Sequence, residues 1–425
     1  MAEEHNRRPA NGKQQGKPAA GQTAAGQSKT KKRKKKSAAG KRVLIGLMLV
    51  LIAVSTVFIV YVGKYIYATY QQWKPATNTE DFPLTSYDTT PASDRDKVGY
   101  YLLGLMGKES HDDTLEMLSL VCLDKKAKKA SILQIPQATY LGEGGSFAVA
   151  AAGDVWANPK PYDWCDTCGK RLYEPDVSEG KHTACGTAVT QKTGSSTVNL
   201  VEVFNEQYSM PVDGYFLFEQ ESLVKLIDLA GGVDVKLDAA MQVDDVSYKA
   251  GVQTLDGKAA LQYVTTYKAG IDGDIGRMSR LQQVYVSLFQ RLFKATEKEL
   301  TDSLIGPLMN GSTPIRVTAE TKTADIVSLI QEAGKVSFES MTAYVIPGVS
   351  ASAGGKTYYS VRKAELLSLL TEAFNPYGRA IAEGDLGITE LKGSGSPDTR
   401  KRVLSDWVVD QAGQVTTTTA ANSSK

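Results

Sequence analysis

Two short cysteine and histidine motifs are the clearest candidates for chemistry in this 425-residue chain. Cys165-x2-Cys168-Gly is followed, after a spacer, by His182-x2-Cys185-Gly. Each motif places two soft ligands around a tight turn, where glycine allows backbone amides to face the sulfur atoms. Three thiolates and one imidazole make a closed four-ligand set for Zn²⁺, with no open position for a substrate. The motifs therefore predict a structural zinc site of the zinc-ribbon kind.

A second candidate is the stretch GDIGRMSR, in which Asp274, Arg277 and Arg280 recur at every third position. On a helix this spacing brings side chains to one face. Guanidinium groups there would suit an anionic ligand, since they bind phosphates through paired hydrogen bonds. The same spacing is also typical of ion pairs on a helix surface. The residues alone favour this second interpretation.

The charge of the chain is unevenly distributed. Residues 1–42 carry 13 Lys and Arg residues against two acidic residues, a net charge of +11, whereas the rest of the chain carries −9. The basic segment is rich in Gly, Ala, Gln and Lys, which predicts a disordered tail. Because the body is mildly acidic, it is not expected to bind nucleic acid.

Residues 43–62 form an uncharged apolar run, VLIGLMLVLIAVSTVFIVYV. A helix of this length spans a hydrocarbon core of roughly 30 Å, and Tyr61, Tyr65 and Tyr67 suit a membrane interface. No convincing small-residue cleavage site follows, which indicates an uncleaved signal anchor. The positive-inside rule then predicts a single-pass cell-membrane protein in the lipid bilayer, with its N-terminus cytoplasmic and residues from about 70 onward extracellular.

Disulfide formation is the main alternative to zinc, because disulfides persist outside the cell. Three cysteines cannot all pair with one another, and the fourth, Cys122, lies in an apolar predicted strand as an expected buried thiol. The odd number favours a metal. A segment with neither zinc nor a disulfide is the third possibility.

The elements that must position these residues predict a mixed central sheet flanked by helices, an α/β fold preceded by one transmembrane helix. Strands are expected at 98–106, 115–123, 131–135, 215–219, 233–237 and 341–346. Helices are expected at 199–209, 222–232, 256–264, 279–294, 321–334 and 360–374. The predicted organisation is a stalk at 71–95, an outer domain at 97–376 that contains a Cys-rich insertion at 141–198, and a disordered tail at 385–425.

Several stretches occur in an order that resembles a known family. They are LLG, DDTLEMLSLVCLDKKAKKASILQIP, LIDLAGGVDV, GVQTLDGKAALQYV, GDIGRMSRLQQ, YVIPG and YYSV. Over about residues 97–376 this order resembles the LytR-CpsA-Psr family of bacterial cell-envelope proteins. The resemblance implies an α/β domain that transfers polyprenyl-pyrophosphate-linked glycopolymers to peptidoglycan outside the membrane.

The resemblance also implies a site. An apolar groove would hold the polyprenyl chain, while arginines and a magnesium ion would hold the pyrophosphate. Carried over residue by residue, it assigns Asp113 to Mg²⁺, Arg277 and Arg280 to substrate binding, and both arginines with Asp274 to catalysis.

Five positions where the resemblance implies a charged side chain are neutral here. They are Met106, Gln137, Ala138, Thr265 and Tyr267. Three of them stand where the family has arginine, and one arginine can contribute on the order of 10³-fold to phosphoryl transfer. We therefore expect weak pyrophosphate binding, poor turnover and loosely held Mg²⁺. Two alternatives are a non-catalytic binding or scaffold protein that keeps the lipid groove, and a regulatory protein whose zinc module binds a partner.

Overall fold

The computed structural model describes residues 56–58, 60–64, 79–80, 97–107, 114–142, 151–156, 161–168, 170–172, 177–192, 196–243, 246–266, 273–311, 315–318 and 321–409. Asp113 and Tyr267 lie outside these residues. So do the predicted basic tail and most of the predicted anchor and stalk.

The chain divides into two compact units, Met1–Gly63 and Lys64–Lys425. In the first unit, residues 56–58 and 60–63 are helical. Among the residues that the structure describes, no helix combines the length and the apolar character needed to cross a membrane. Most of the apolar run at 43–62 lies outside those residues, so the anchor stays a prediction.

The strands of the second unit, in chain order, are β1 Thr79–Glu80, β2 Val98–Met106, β3 Leu115–Asp124, β4 Lys129–Ile135, β5 Tyr162–Cys165, β6 Lys170–Leu172, β7 Val177–Ser178, β8 Lys181–His182, β9 Thr190–Lys192, β10 Gly214–Phe218, β11 Val233–Leu237, β12 Met241–Val243, β13 Val246–Tyr248, β14 Gly251–Leu255, β15 Arg316–Thr318, β16 Met341–Val345, β17 Gly348–Ala353, β18 Lys356–Val361 and β19 Lys401–Val403. The strands predicted from the sequence are all present, with ends shifted by a few residues.

Eight of these strands form one mixed sheet in the order β1-β15-β10-β2-β3-β4-β16-β19. β2, β3 and β4 are an antiparallel meander, while β10 joins β2 and β16 joins β4 in parallel. The central strands are nearly continuous apolar runs because both of their faces are covered by helices. The predicted mixed α/β class is confirmed.

The helices are α1 Ser196–Glu202, α2 Gln220–Leu229, α3 Gly257–Thr265, α4 Gly273–Lys294, α5 Glu297–Glu299, α6 Gly306–Met309, α7 Thr323–Ala333 and α8 Lys363–Ala373. Successive strand residues point to opposite faces of the sheet. Helices α1 and α8 pack on the face that carries Leu102 and Leu120. Helices α2, α3, α4 and α7 pack on the face that carries Leu105 and Met117.

Several helices begin at positions that differ from the prediction, and for α4 and α8 the structure gives the reason. Helix α4 begins at Gly273 rather than 279, because its polar first turns give no apolar periodicity although they are helical. Asp274, Arg277 and Arg280 therefore lie within its first turns. Helix α8 begins at Lys363 because residues 356–361 pair with β17 instead.

The predicted insertion is partly built into the main core. Val155 and Trp156 are buried in the same cluster as the sheet residues. Beyond them, β5, β6 and β9 form a small sheet and β7 pairs with β8. The Ser196 hydroxyl donates to the Trp156 carbonyl at 2.6 Å. The base of the insertion is thus closed where the chain returns to α1.

The prediction of a disordered tail from residue 385 is wrong for residues 385–409. Strand β19 pairs antiparallel with β16 at the edge of the main sheet. Leu386 and Ile388 are buried in one core cluster, and Leu404 is fully buried in another. These apolar residues are few and widely spaced among Gly, Ser and Thr. Local composition therefore gives no sign that they are buried. Each of them packs against a core that is formed by distant segments of the chain.

Candidate functional site

Arg277, in the second turn of α4, is the centre of a small charged cluster. Its Nη2 donates to Asp274 Oδ1 at 2.8 Å and to the Glu116 carbonyl at 3.3 Å. Its Nη1 lies 3.9 Å from Glu116 Oε2. The Arg277 side chain is only 8% exposed, against 21% for Asp274 and 23% for Glu116. The guanidinium is therefore already neutralised by two carboxylates.

Glu116, in β3, was missed by the sequence analysis. Burial raises the pKa of its carboxyl above the ordinary value, and the nearby Arg277 opposes this only in part. A signal was present, because Glu116 is the one charged residue in the apolar stretch LEMLSLVCL. A single acidic residue within a buried strand indicates a partner on the packed face.

The loop after β4 lies beside the same arginine. Gln137 Oε1 is 3.5 Å from Arg277 Nη2, a long contact. The Thr139 hydroxyl and amide both donate to the Pro136 carbonyl, and Ala138 and Tyr140 bond to the backbone of Tyr359. This neutral loop is therefore firmly held, and it brings Gln137, one of the five unexpectedly neutral residues, to the charged cluster.

Arg280 faces different partners from Arg277. Its Nε donates to the Tyr263 carbonyl and its Nη2 to the Thr266 carbonyl, both at 2.6 Å. The guanidinium also lies over the Tyr263 ring, 5.7 Å from the centroid. Carbonyls at a helix C-terminus lack intrahelical partners. Arg280 thus caps the end of α3, and its predicted role in pyrophosphate binding stays a prediction.

Met106 and Thr265, two other neutral positions, have structural contacts. Met106 is buried in the core cluster that also contains Leu115. The Thr265 hydroxyl donates to the Leu261 carbonyl at 2.9 Å within α3.

An apolar pocket of about 180 Å³ lies between the sheet and helices α2, α4 and α7. Tyr285, Phe289 and Phe293 line it from one face of α4. Their rings stack with centroid distances of 5.8 and 5.5 Å. Leu281 lines both this pocket and the small cleft formed by Gln137, Asp274 and Arg277, among others. The apolar pocket therefore adjoins the charged cluster.

The four cysteine and histidine residues singled out in the sequence lie together in the insertion. Their ligand atoms are all within 4.8 Å of one another. His182 Nδ1 lies 3.4 Å from Cys168 Sγ and 3.1 Å from Cys185 Sγ. Cys165 Sγ is 3.4 Å from Cys185 Sγ, and all three thiols are unbridged. These contacts describe a separate cluster from the one around Arg277.

Residues 178–375 match the sequence model of the LytR_cpsA_psr family. This region of the chain is similar to the LytR-CpsA-Psr domain. The chain is similar to the polyisoprenyl-teichoic acid–peptidoglycan teichoic acid transferase TagU of Oceanobacillus iheyensis, with 24% identity over 237 residues, 54% of this chain and 64% of that protein. The TagU of Bacillus subtilis is 32% identical over 120 residues, 25% of this chain and 38% of that protein. The chain thus spans less than two thirds of the length of these relatives.

Among solved structures, the crystal structure of B. subtilis TagV aligns with a TM-score of 0.47 and 18% identity. The alignment covers 64% of this chain and 94% of that one.

The described residues of the charged cluster do not fit a magnesium ion. Mg²⁺ needs carboxylate or phosphate oxygens to hold it. The two carboxylates of the cluster, Asp274 and Glu116, both face the Arg277 guanidinium, which disfavours a second cation. Met106, where the family resemblance implies an aspartate, is apolar and buried. The predicted ligand Asp113 lies outside the described residues.

Proposed function

We propose that this protein holds polyprenyl-pyrophosphate-linked cell-wall glycopolymer for attachment to peptidoglycan, with low catalytic power. The observation that carries the proposal is the apolar pocket that adjoins the Arg277 cluster through Leu281. A lipid-linked pyrophosphate has the same two parts, an apolar chain and an anionic head. The domain family and the teichoic acid transferases to which the chain is similar support the same ligand class.

The pocket supplies the apolar part of this binding. Each CH₂ group moved from water into such a pocket contributes about 0.8 kcal/mol. The stacked rings of Tyr285, Phe289 and Phe293 form one wall, and Leu103, Leu105 and Val121 of the sheet form another. The polyprenyl chain would lie between these walls and leave its head near the start of α4.

The charged cluster accounts for the low catalytic power. A pyrophosphate at Arg277 competes with Asp274 and Glu116 for one guanidinium. Charge developing on a transferring phosphoryl group needs donors that are already aimed at it. In the described cluster, one guanidinium faces two carboxylates. The cluster therefore binds an anion weakly and stabilises a transition state poorly.

A protein that binds the lipid-linked polymer without transferring it is the second candidate function. Met106 favours it, because a buried apolar side chain at this position contributes nothing to pyrophosphate or metal binding. A transfer assay with lipid-linked oligosaccharide and peptidoglycan separates the two functions. Measurable transfer that is lost in Arg277→Met would exclude the binder.

Filling the pocket is expected to displace the lipid. Ala333, the last residue of α7, lines the pocket and is half-buried. We expect full-length protein carrying Ala333→Phe, purified in detergent from bacterial membranes, to retain at most about a tenth of the polyprenyl phosphates found with the native protein, equivalent to about 1.4 kcal/mol. Mass spectrometry of extracted lipid measures this.

The matched control is Ala373→Phe. Ala373 is also the last residue of a helix, α8, and is half-buried, but it packs against the cluster on the opposite face of the sheet. It should leave the lipid content unchanged. Native protein without any polyprenyl lipid, or equal losses in both variants, would contradict the proposed binding site.

We also propose that residues 43–62 anchor the chain in the cell membrane, with residues 1–42 cytoplasmic and residues 71–425 extracellular. The apolar run and the +11 segment before it support this orientation. Protease added to intact, wall-stripped cells is expected to remove the outer part and to leave an epitope in residues 1–42 protected. An epitope digested in intact cells, with the outer part protected, would reverse the topology.

A further inference from the structure

We propose that Cys165, Cys168, His182 and Cys185 bind one structural Zn²⁺ that joins two hairpins of the insertion. Cys165 and Cys168 flank the turn between β5 and β6. His182 ends β8, and Cys185 follows in the next turn. Residues from two separate hairpins thus converge on one point, which is the arrangement that a structural metal stabilises.

The interatomic distances agree with a shared metal. Tetrahedral Zn²⁺ with Zn–S of about 2.3 Å and Zn–N of about 2.0 Å separates its ligand atoms by roughly 3.5–3.8 Å. The observed separations are 3.4 Å for Cys165 Sγ to Cys185 Sγ, 3.4 Å for Cys168 Sγ to His182 Nδ1 and 3.1 Å for His182 Nδ1 to Cys185 Sγ. A disulfide requires about 2.05 Å between sulfurs. All the ligand atoms lie within 4.8 Å of one another, so small side-chain adjustments are sufficient to bring them to one ion.

Local hydrogen bonds order the backbone of both turns, and one of them is directed at a sulfur atom. The Cys168 amide points at Cys165 Sγ, 3.4 Å away. In the second turn, the amides of Cys185 and Gly186 donate to the His182 carbonyl at 3.3 and 2.8 Å. Gly186 has a φ of +71°, a conformation that glycine adopts without strain. This explains why the second motif is followed by glycine.

The burial of His182 supports its role as a metal ligand. His182 is 1% exposed and Cys165 is fully buried, although the insertion around them contains few apolar residues. A buried imidazole is unfavourable without a polar partner. Its Nδ1 faces two sulfurs, so coordination through Nδ1 supplies that partner. The four ligands close the coordination sphere, which makes the ion structural rather than catalytic.

The insertion needs such an ion to hold its shape. Its strands β5 to β9 have two to four residues each, and sheets this small are marginal in water. Metal binding supplies folding free energy where a core is too small. The base of the insertion is held separately, by Ser196 on the Trp156 carbonyl and by Arg316 over the Trp156 ring at 5.6 Å. Loss of the ion should therefore loosen the hairpins and leave the main sheet folded.

The experiment uses the full chain, purified in detergent under reducing conditions. Elemental analysis is expected to give about one zinc per chain, as the closed ligand set requires. After removal with a chelator, Co²⁺ should bind with the absorption bands of a tetrahedral thiolate site. Cys168→Ser, at an exposed ligand, should lose the metal and the cobalt bands. In the apo protein and in this variant, trypsin should cut faster after Lys181 with no change in global unfolding.

Cys122→Ser is the matched control, because Cys122 is the chain's other cysteine and lies buried in β3. It should keep the metal. Two results would overturn the proposal. One is native protein without zinc that takes up no cobalt after reduction. The other is an intact mass about two units low in protein isolated without reductant, with Cys165 linked to Cys185, because a disulfide would then occupy the ligand positions.

Discussion

Arg277→Met is expected to lower the free energy of unfolding by roughly 3–5 kcal/mol, because removal of one partner leaves buried charges uncompensated. Arg277 is 8% exposed and faces Asp274 at 2.8 Å and Glu116 at 3.9 Å. Without it, two carboxylates remain on one packed face. The same substitution should abolish binding of inorganic pyrophosphate measured by calorimetry, since Arg277 is the cation of the charged cluster that adjoins the pocket through Leu281.

The size of this loss should depend on pH. Burial already raises the pKa of Glu116, and loss of Arg277 would raise it further. A carboxyl whose pKa is higher in the folded than in the unfolded state stabilises the folded protein at pH values below its pKa in the unfolded state. That stabilising contribution is lost as the pH rises through the pKa of the carboxyl in the folded state. Urea unfolding should therefore show a smaller difference between Arg277→Met and native protein at about pH 4.5 than at about pH 7.5.

Two further variants separate charge from packing. Adding Asp274→Asn and Glu116→Gln to Arg277→Met should recover much of the stability but none of the pyrophosphate binding. Arg280→Met should lose stability, because Arg280 caps α3 through the Tyr263 and Thr266 carbonyls, and should keep the pyrophosphate affinity. If Arg280→Met removed binding and Arg277→Met did not, the assignment of the site would be reversed.

Met106→Asp is the second substitution with a large expected effect, a loss of roughly 3–5 kcal/mol in the free energy of unfolding. The sequence analysis places Met106 where the family has an aspartate, which invites its restoration. In the structure, however, Met106 is 5% exposed within an apolar cluster. A carboxylate there would be buried without a described cationic partner. Chemical denaturation of both proteins measures the difference.

Met106→Leu is the control, since a swap of similar volume usually costs less than about 1.5 kcal/mol. If Met106→Asp unfolds at the same denaturant concentration as native protein, the side chain reaches the site and our description of this strand end is wrong. Restoration of all five family charges together is therefore not expected to raise transfer. Gln137→Arg alone is better placed, because Gln137 already lies beside Arg277 and its two carboxylates.

The sequence alone determined the elements that depend on local pattern. The central strands are continuous apolar runs, such as VGYYLLGLM, and the helix before Gly231 carries its apolar residues on one face, so periodicity was sufficient to place them. The four cysteine and histidine positions were also found from spacing, because a turn that brings two ligands together is a short-range feature. The order of short motifs was enough to recognise the family resemblance over about residues 97–376, of which the family's sequence model matches 178–375.

Only the tertiary structure decided which side chains share a contact. Glu116 and Arg277 are far apart in the chain, and β3 and α4 must pack before their charges meet. Arg280 has the same spacing and residue type as Arg277, yet it caps α3, because the neighbouring helix presents free carbonyls to it. Leu404 and β19 join the core because strand β16 offers an unpaired edge, which no local composition reveals. Long-range packing assigns these roles because it depends on surfaces that distant segments create together.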